Sequence, residues 1–438
     1  MATLLKLPRE LLHEIVDWLF ADPEVEGYGM MGPPDEPYGL SKTLSSISRT
    51  CRQLHTDVIP FLYKSIDLGR QSGPSLITLL RNLDENPYLG SRVEKVRIDW
   101  RAYDQAFVYS REDTDFVEDL ARGLGLSLPS DWDAAEQKSA GTLAGLILLK
   151  ASGVKYVDTI GYHASFYRSI PVRSSHRLEH FQQFGSFVEP SDHPPPMSDI
   201  CRLLNLSPGL EVFQANLLTK MNEGDIDWSH VTTLVIGNDF LEGTTWLVRA
   251  INSCERLENL EVTFETGSPL PVILALEKHA DTMKSLYITT YFDADMHADN
   301  RDISLASLKN LESLFLNGLI CEPLTILRTI PYSLQEFSLD GDFDHLKEDF
   351  ELFAGDFKKG LFPHFNKLLL NTMWTCDHGE CPFMMNGKMR LKDMEDDKAN
   401  GLLDDVEEEN DSEDRMACRN HWEIVFNLIK VGVPVWVN

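Results

Sequence analysis

With 438 residues and 43% hydrophobic side chains, the chain has room for two or three domains with substantial buried cores. Its 69 acidic and 40 basic residues leave a formal net charge of −29, which argues against nucleic acid and anionic membrane as partners because no basic patch is segregated along the sequence. The start shows no basic-then-apolar signal pattern, the longest apolar run, around Leu143 to Leu149, is too short for a bilayer, and seven scattered cysteines fit reduced thiols, so a cytoplasmic or nuclear location is expected.

Taken in chain order, the first predicted helix starts at Leu7-Pro8-Arg9-Glu10-Leu11-Leu12-His13-Glu14-Ile15. Pro8 suits a first helical turn, where its missing N–H would have no partner anyway, and Leu11, Leu12, Ile15, Val16 and Leu19 then make one apolar face. After a polar, Gly/Pro-rich insertion over 21–39, Leu40, Leu44, Ile47, Cys51, Leu54 and Val58 recur at helical spacing and predict a second helix with a continuous apolar stripe. Two short helices cannot bury both faces against each other alone.

This pairing resembles an F-box. Leu7, Pro8, Glu10, Leu11, Leu12 and Ile15 match the opening motif of that family, Cys51-Arg52 match its later Cys-basic pair, and Leu62-Tyr63-Lys64-Ser65-Ile66 resembles its exit segment. Thr50 and Leu54 depart from it, standing where the family commonly has Val and Trp. The resemblance implies a small helical domain over 1–68 that docks a Skp-type adaptor, and through it a cullin scaffold, using Leu7, Pro8, Leu11, Leu12, Ile15, Ile47, Cys51 and Leu54. The competing expectation is an ordinary amphipathic helical hairpin.

From Leu210 onward the chain repeats apolar-x-x-apolar-x-apolar, in which the last two apolar positions alternate as a one-sided strand requires. Copies fall at Leu210/Phe213/Ala215, Val231/Leu234/Ile236, Leu257/Leu260/Val262, Met283/Leu286/Ile288, Leu311/Leu314/Leu316, Leu334/Phe337/Leu339 and Phe365/Leu368/Leu370, with weaker copies starting at Val93, Val154 and Leu178. Successive starts from Leu210 lie 21, 26, 26, 28, 23 and 31 residues apart, around the period of leucine-rich repeats. Helical segments such as 245–252 and 271–278 intervene, so each unit reads as strand, turn, helix and return. The irregular pattern resembles the divergent repeats of F-box proteins with leucine-rich repeats, and is similar to filamentous-fungal F-box proteins. The expected fold class is α/β: a small helical F-box-like domain (1–68), a curved leucine-rich-repeat-like α/β solenoid (69–375) and a C-terminal region (376–438). A non-repeating α/β domain is the alternative.

Residues 101–152 read as a pair of inserted helices, and 183–199 and 291–304 as long loops. The acidic stretch 393–414 reads as disordered, after which Cys418, Trp422, Val425, Phe426 and Ile429 lie at helical spacing and Val433 to Val437 suit a strand that caps the array.

Little of the sequence suggests catalysis. Gly27-Tyr28-Gly29-Met30-Met31-Gly32 satisfies GxGxxG but lacks the preceding strand and following helix that a pyrophosphate needs. Asp293, Asp295, His297 and Asp299 lack the glycine turn and terminal Glu of a calcium loop. Cys376, His378, Cys381, Cys418 and His421 have ligand chemistry suited to zinc in an unfamiliar spacing, with buried structural cysteine as the plainer reading. No cofactor is expected.

The expected function is therefore non-catalytic: a substrate-recognition subunit of an SCF-type cullin-RING ubiquitin ligase, or alternatively a repeat scaffold that binds the adaptor without ubiquitin transfer. Residues between the core positions of each strand should face away from the core, which places Val235, Glu261, Tyr287, Phe315 and Ser338 in one row as candidates for holding an unknown protein substrate. The competing expectation for Tyr287 and Phe315 is a loop folded over them.

Overall fold

The computed structural model describes residues 45–437 apart from 70, 101–108, 127, 129–131, 134–135, 171–177, 188–196, 217–225, 238–244, 265–268, 291–303, 318–328, 341–345, 372–423 and 426. The chain is α/β and divides into two compact units, one formed by residues 1–242 and 253–255, the other by 243–252 and 256–438.

The first unit carries strands β1 (Ser65–Asp67), β2 (Lys95–Asp99), β3 (Tyr156–Ile160), β4 (Gln183–Phe187), β5 (Val212–Ala215) and β6 (Thr233–Ile236). They pair in parallel and in chain order, each with the next. The second unit carries β7 (Asn259–Phe264), β8 (Ser285–Thr290), β9 (Ser313–Asn317), β10 (Glu336–Asp340), β11 (Lys367–Asn371) and β12 (Val435–Val437), paired in the same manner. Parallel neighbours need a crossover between them, and among the described residues helices lie in the connections between β1 and β2, β2 and β3, β3 and β4, β4 and β5, β7 and β8, and β10 and β11. The helices include α1 (Arg52–Leu62), which precedes β1, α2 (Gly73–Glu85), α3 (Pro87–Arg92), α4 (Arg111–Gly123), α5 (Glu136–Lys150), α6 (Ala164–Ser169), α7 (Met197–Leu204), α8 (Thr245–Ser253), α9 (Leu270–Ala275) and α10 (Lys347–Lys358).

One local rule recurs at the strands. The first apolar residue of a repeat donates its N–H back to a carbonyl three residues earlier, as in Leu210 to Ser207, Val231 to Trp228 and Leu311 to Leu308. The residue after it offers its carbonyl to two N–H groups of the next repeat: Lys155 accepts from Gln182 and Gln183, Glu258 from Lys284 and Ser285, Glu312 from Gln335 and Glu336. This fixes the register, and the apolar positions of successive strands stack in one layer. Leu260, Leu286, Leu314, Phe337 and Leu368 are each at most 1% exposed. Leu257 departs from the rule, because the buried His279 accepts its N–H at Nδ1 (3.3 Å) while Nε2 meets the Ile251 carbonyl (2.9 Å). That geometry fixes the neutral tautomer with the proton on Nε2, and burial holds the ring below its ordinary pKa.

The predicted helix pair of 101–152 is present as α4 and α5, the former opened by a reciprocal capping box between Ser110 and Asp113. Helix α5 packs tightly against α6: a Cβ added at Gly141 would stand 2.8 Å from the Phe166 nitrogen, so glycine lets the two backbones approach. The C-terminal strand expected over 433–437 is present as β12, beside β11.

Three expectations need correction. The segment 183–199 is not loop throughout, since Gln183–Phe187 forms β4 and Met197–Leu204 forms α7, while 188–196 lie outside the described residues. Gly185 and Ser186 conceal the alternation that would mark that strand. The repeat assigned to Leu178 begins instead at Phe181, because Phe184 pairs with Phe213 and Ser186 with Ala215. Leu178 occupies the place of Ser207, three residues before the repeat start. Finally, the stripe from Ile47 to Val58 is not one helix. Residues 45–48 make a single turn, and the backbone at Cys51 is extended (φ −160°, ψ 163°) before α1 begins. Thr50 Oγ1 donates to the Ile47 carbonyl (2.7 Å) and Ser48 Oγ to the Ser45 carbonyl (2.8 Å), local bonds that compete with helix continuation.

Candidate recognition surface

In each strand of the second unit, alternate residues turn away from the core. Register places Glu261 beside Tyr287, Tyr287 beside Phe315, Phe315 beside Ser338, Ser338 beside Leu369, and Leu369 beside Trp436. Four of the five expected row residues are thus neighbours on adjacent strands. Val235 lies on β6 of the first unit, in register with Gln214.

Tyr287 and Phe315 stack face to face, with ring centroids 3.9 Å apart and planes 7° from parallel. Parallel strands about 4.8 Å apart bring side chains at one register position to stacking distance. Both rings are half-buried, whereas Trp436, at the far end of the row, is 61% exposed.

Glu261 flanks this stack. It is half-buried and has no ion pair or hydrogen bond among the described residues, and burial alone pushes its carboxyl up to about 7. Asp340, on β10, sits two residues beyond Ser338 on the same face, and burial raises its pKa too. One step past Glu261 and Tyr287, Thr263 pairs with Thr289 across the ladder. Both are buried, and their hydroxyls have no partner among the described residues; the same holds for the Ser338 hydroxyl. Among the described residues of these strands, Lys367 is the cation on this face, and it is already 3.9 Å from Glu336.

The first unit presents a different row: Asp67, Arg97, Asp158, Gly185, Gln214 and Val235. Charges of both signs alternate there, and Lys95 lies 3.6 Å from Asp158.

Sequence alternation alone identifies Glu261, Tyr287, Phe315 and Ser338. It missed Asp340, Thr263, Thr289, Leu369 and Trp436, which obey the same alternation but lie further along the strands or in strands with weaker repeats.

Of the residues expected to dock an adaptor, Leu7, Pro8, Leu11, Leu12 and Ile15 lie outside the described residues, as does the insertion 21–39. Leu54 is 4% exposed, while Ile47 and Cys51 are half-buried. Ile47 and Leu62 pack against a small core of Val58 and Phe61. Cys376, His378, Cys381, Cys418 and His421 also lie outside the described residues, with the acidic stretch 393–414. Among the described residues no cluster of His, Cys, Asp and Glu is arranged to hold a metal, and no helix is long and apolar enough to cross a membrane. No known protein family and no curated protein matches the chain.

Proposed function

We propose that this chain is the substrate-recognition subunit of an SCF-type cullin-RING ubiquitin ligase, an F-box protein whose strand–helix units form a leucine-rich-repeat-like solenoid. The observation that carries the reading is the N-terminal pairing of Leu7-Pro8-Arg9-Glu10-Leu11-Leu12-His13-Glu14-Ile15 with Cys51-Arg52. It is supported by continuity, since α1 runs after two residues into β1, the strand that starts the ordered parallel array. The chain performs no bond chemistry in this scheme. Its apolar N-terminal face holds the Skp-type adaptor, and its sheet face presents a bound protein to a ubiquitin-conjugating enzyme brought by the cullin.

Leu11→Asp tests the docking. A leucine buried at an interface contributes about 1.5 to 3 kcal/mol, and a carboxylate in its place adds a desolvation cost. Adaptor affinity should fall at least about tenfold in a co-purification or titration assay. Undiminished adaptor binding by the folded variant would remove the F-box reading. Ubiquitin transfer in a reconstituted complex then separates a ligase subunit from a scaffold.

A further inference from the structure

The row on the second unit contains an imbalance that points to the chemistry of its occupant. Glu261 and Asp340 are partly desolvated and neither meets a cation among the described residues, whereas Glu336 on the same face has Lys367 at 3.9 Å. Carboxylates held in this manner are destabilised until a positive charge reaches them. Between them lie the stacked rings of Tyr287 and Phe315, which offer an apolar face and a π surface to a guanidinium or an aromatic ring. The buried hydroxyls of Thr263 and Thr289, without a partner among the described residues, lie beside Glu261 and Tyr287 on the same face, one step further along the strands.

Spacing narrows the ligand further. Glu261 and Asp340 are separated by three strand steps of about 4.8 Å and two residue steps of about 3.3 Å, or about 16 Å in all, the length of about five extended residues. We propose that this face binds an extended basic segment of a target protein, in which two cationic side chains about four or six residues apart, and so on the same side of the extended chain, flank an apolar or aromatic one. Glu261 and Asp340 take the two cations, and the Tyr287–Phe315 stack takes the residue between them. This deepens the substrate-receptor reading and rests on it for the biological role of the bound segment, while the binding itself does not require the adaptor.

The test uses the full chain at pH 8 and a fluorescein-labelled ten-residue peptide with Arg at two positions about four apart and Tyr midway between them, so that all three side chains fall on one face of the extended peptide. A second peptide carries Glu at both Arg positions. The Arg peptide should bind at least about tenfold more tightly by fluorescence anisotropy, and Glu261→Gln and Asp340→Asn should each weaken it about three- to tenfold while cooperative melting is retained. Lys367→Met should not weaken it. Equal binding of the two peptides, or Arg-peptide binding that survives the double Glu261→Gln, Asp340→Asn change, would show only general attraction to an acidic chain and overturn the proposal. Leu11→Asp serves as the control: lost adaptor binding is the result expected of it, and peptide binding should persist. Adaptor binding that survives Leu11→Asp undermines the F-box reading alone, whereas failed peptide discrimination in an adaptor-competent chain undermines this proposal alone.

Discussion

The outer rows of the two units are built on the same backbone plan and carry opposite chemistry. Along the first, Asp67, Arg97 and Asp158 alternate in sign, and Lys95 reaches Asp158, so charge is balanced within the protein. Along the second, Glu261 borders a Tyr287–Phe315 stack in a row that runs toward the exposed Trp436, and neither Glu261 nor Asp340 meets a cation among the described residues. A row that satisfies its own charges gains little from a ligand. A row that keeps desolvated carboxylates beside aromatic rings bears a folding cost that a partner can relieve, which is why the second unit is the better candidate for recognition.

The largest effect that would sharpen this contrast separates the two faces of one strand. Leu314 is 1% exposed, so Leu314→Ala should destabilise the second unit by about 2 to 5 kcal/mol through lost burial and a residual cavity. Its outward neighbour Phe315 should cost about 1 kcal/mol when replaced by Ala, mostly the stacking with Tyr287. Urea denaturation of both variants checks the ordering. If Phe315→Ala proves as damaging as Leu314→Ala, the ring belongs to the core and the row is not a docking face.

The next effect concerns Glu261. Its folded carboxyl titrates at about 7 against an ordinary 4.5, with burial as the cause. Below the ordinary value both states hold the proton and the residue is neutral in its effect. As pH rises from there to about 7 the unfolded chain ionises first, stability falls, and above about 7 the penalty is constant. Glu261→Gln should therefore leave melting unchanged at pH 4 and stabilise the protein at pH 8 by on the order of 1 to 2 kcal/mol, discounted for the solvent that reaches a half-buried group. A substitution that raises Tm and weakens peptide capture together would identify a residue kept for binding. An unchanged pH 8 melt would break the contrast with the first unit.

The smallest effect lies in the first unit. Lys95→Met removes the partner of Asp158 at 3.6 Å, and with both side chains partly solvated the cost should be about 0.2 to 1 kcal/mol. Thermal melts at low and high salt check it, since the wild-type advantage should shrink as ions screen the pair. A loss above about 2 kcal/mol would mean that this row depends on its charges for folding.

Much of the core is legible in the sequence. Leu210/Phe213, Leu257/Leu260, Leu311/Leu314 and their counterparts are buried where a period of two predicts, because alternation of apolar side chains is a local property that hydrophobic burial enforces in every strand. The row Glu261, Tyr287, Phe315 and Ser338 followed from the same alternation. Other features were decided by partners distant in sequence. Gln183–Phe187 is a strand because Phe184 and Ser186 lie in register with Phe213 and Ala215, a pairing that outweighs the weak strand preference of Gly185. The break at Cys51 arose where hydroxyl-to-carbonyl bonds at Ser48 and Thr50 competed with a helix that the apolar spacing favoured. The stacking of Tyr287 on Phe315 and the raised pKa of Glu261 exist only once residues 26 or more positions apart are aligned on neighbouring strands, Glu261 beside Tyr287 and Tyr287 beside Phe315. Sequence alone determined which side chains turn toward the core and which turn away, since that is set by backbone geometry. Tertiary structure alone decided which of the outward residues touch one another and which charges are left without partners, because both depend on register between strands and on how much water the assembled face excludes.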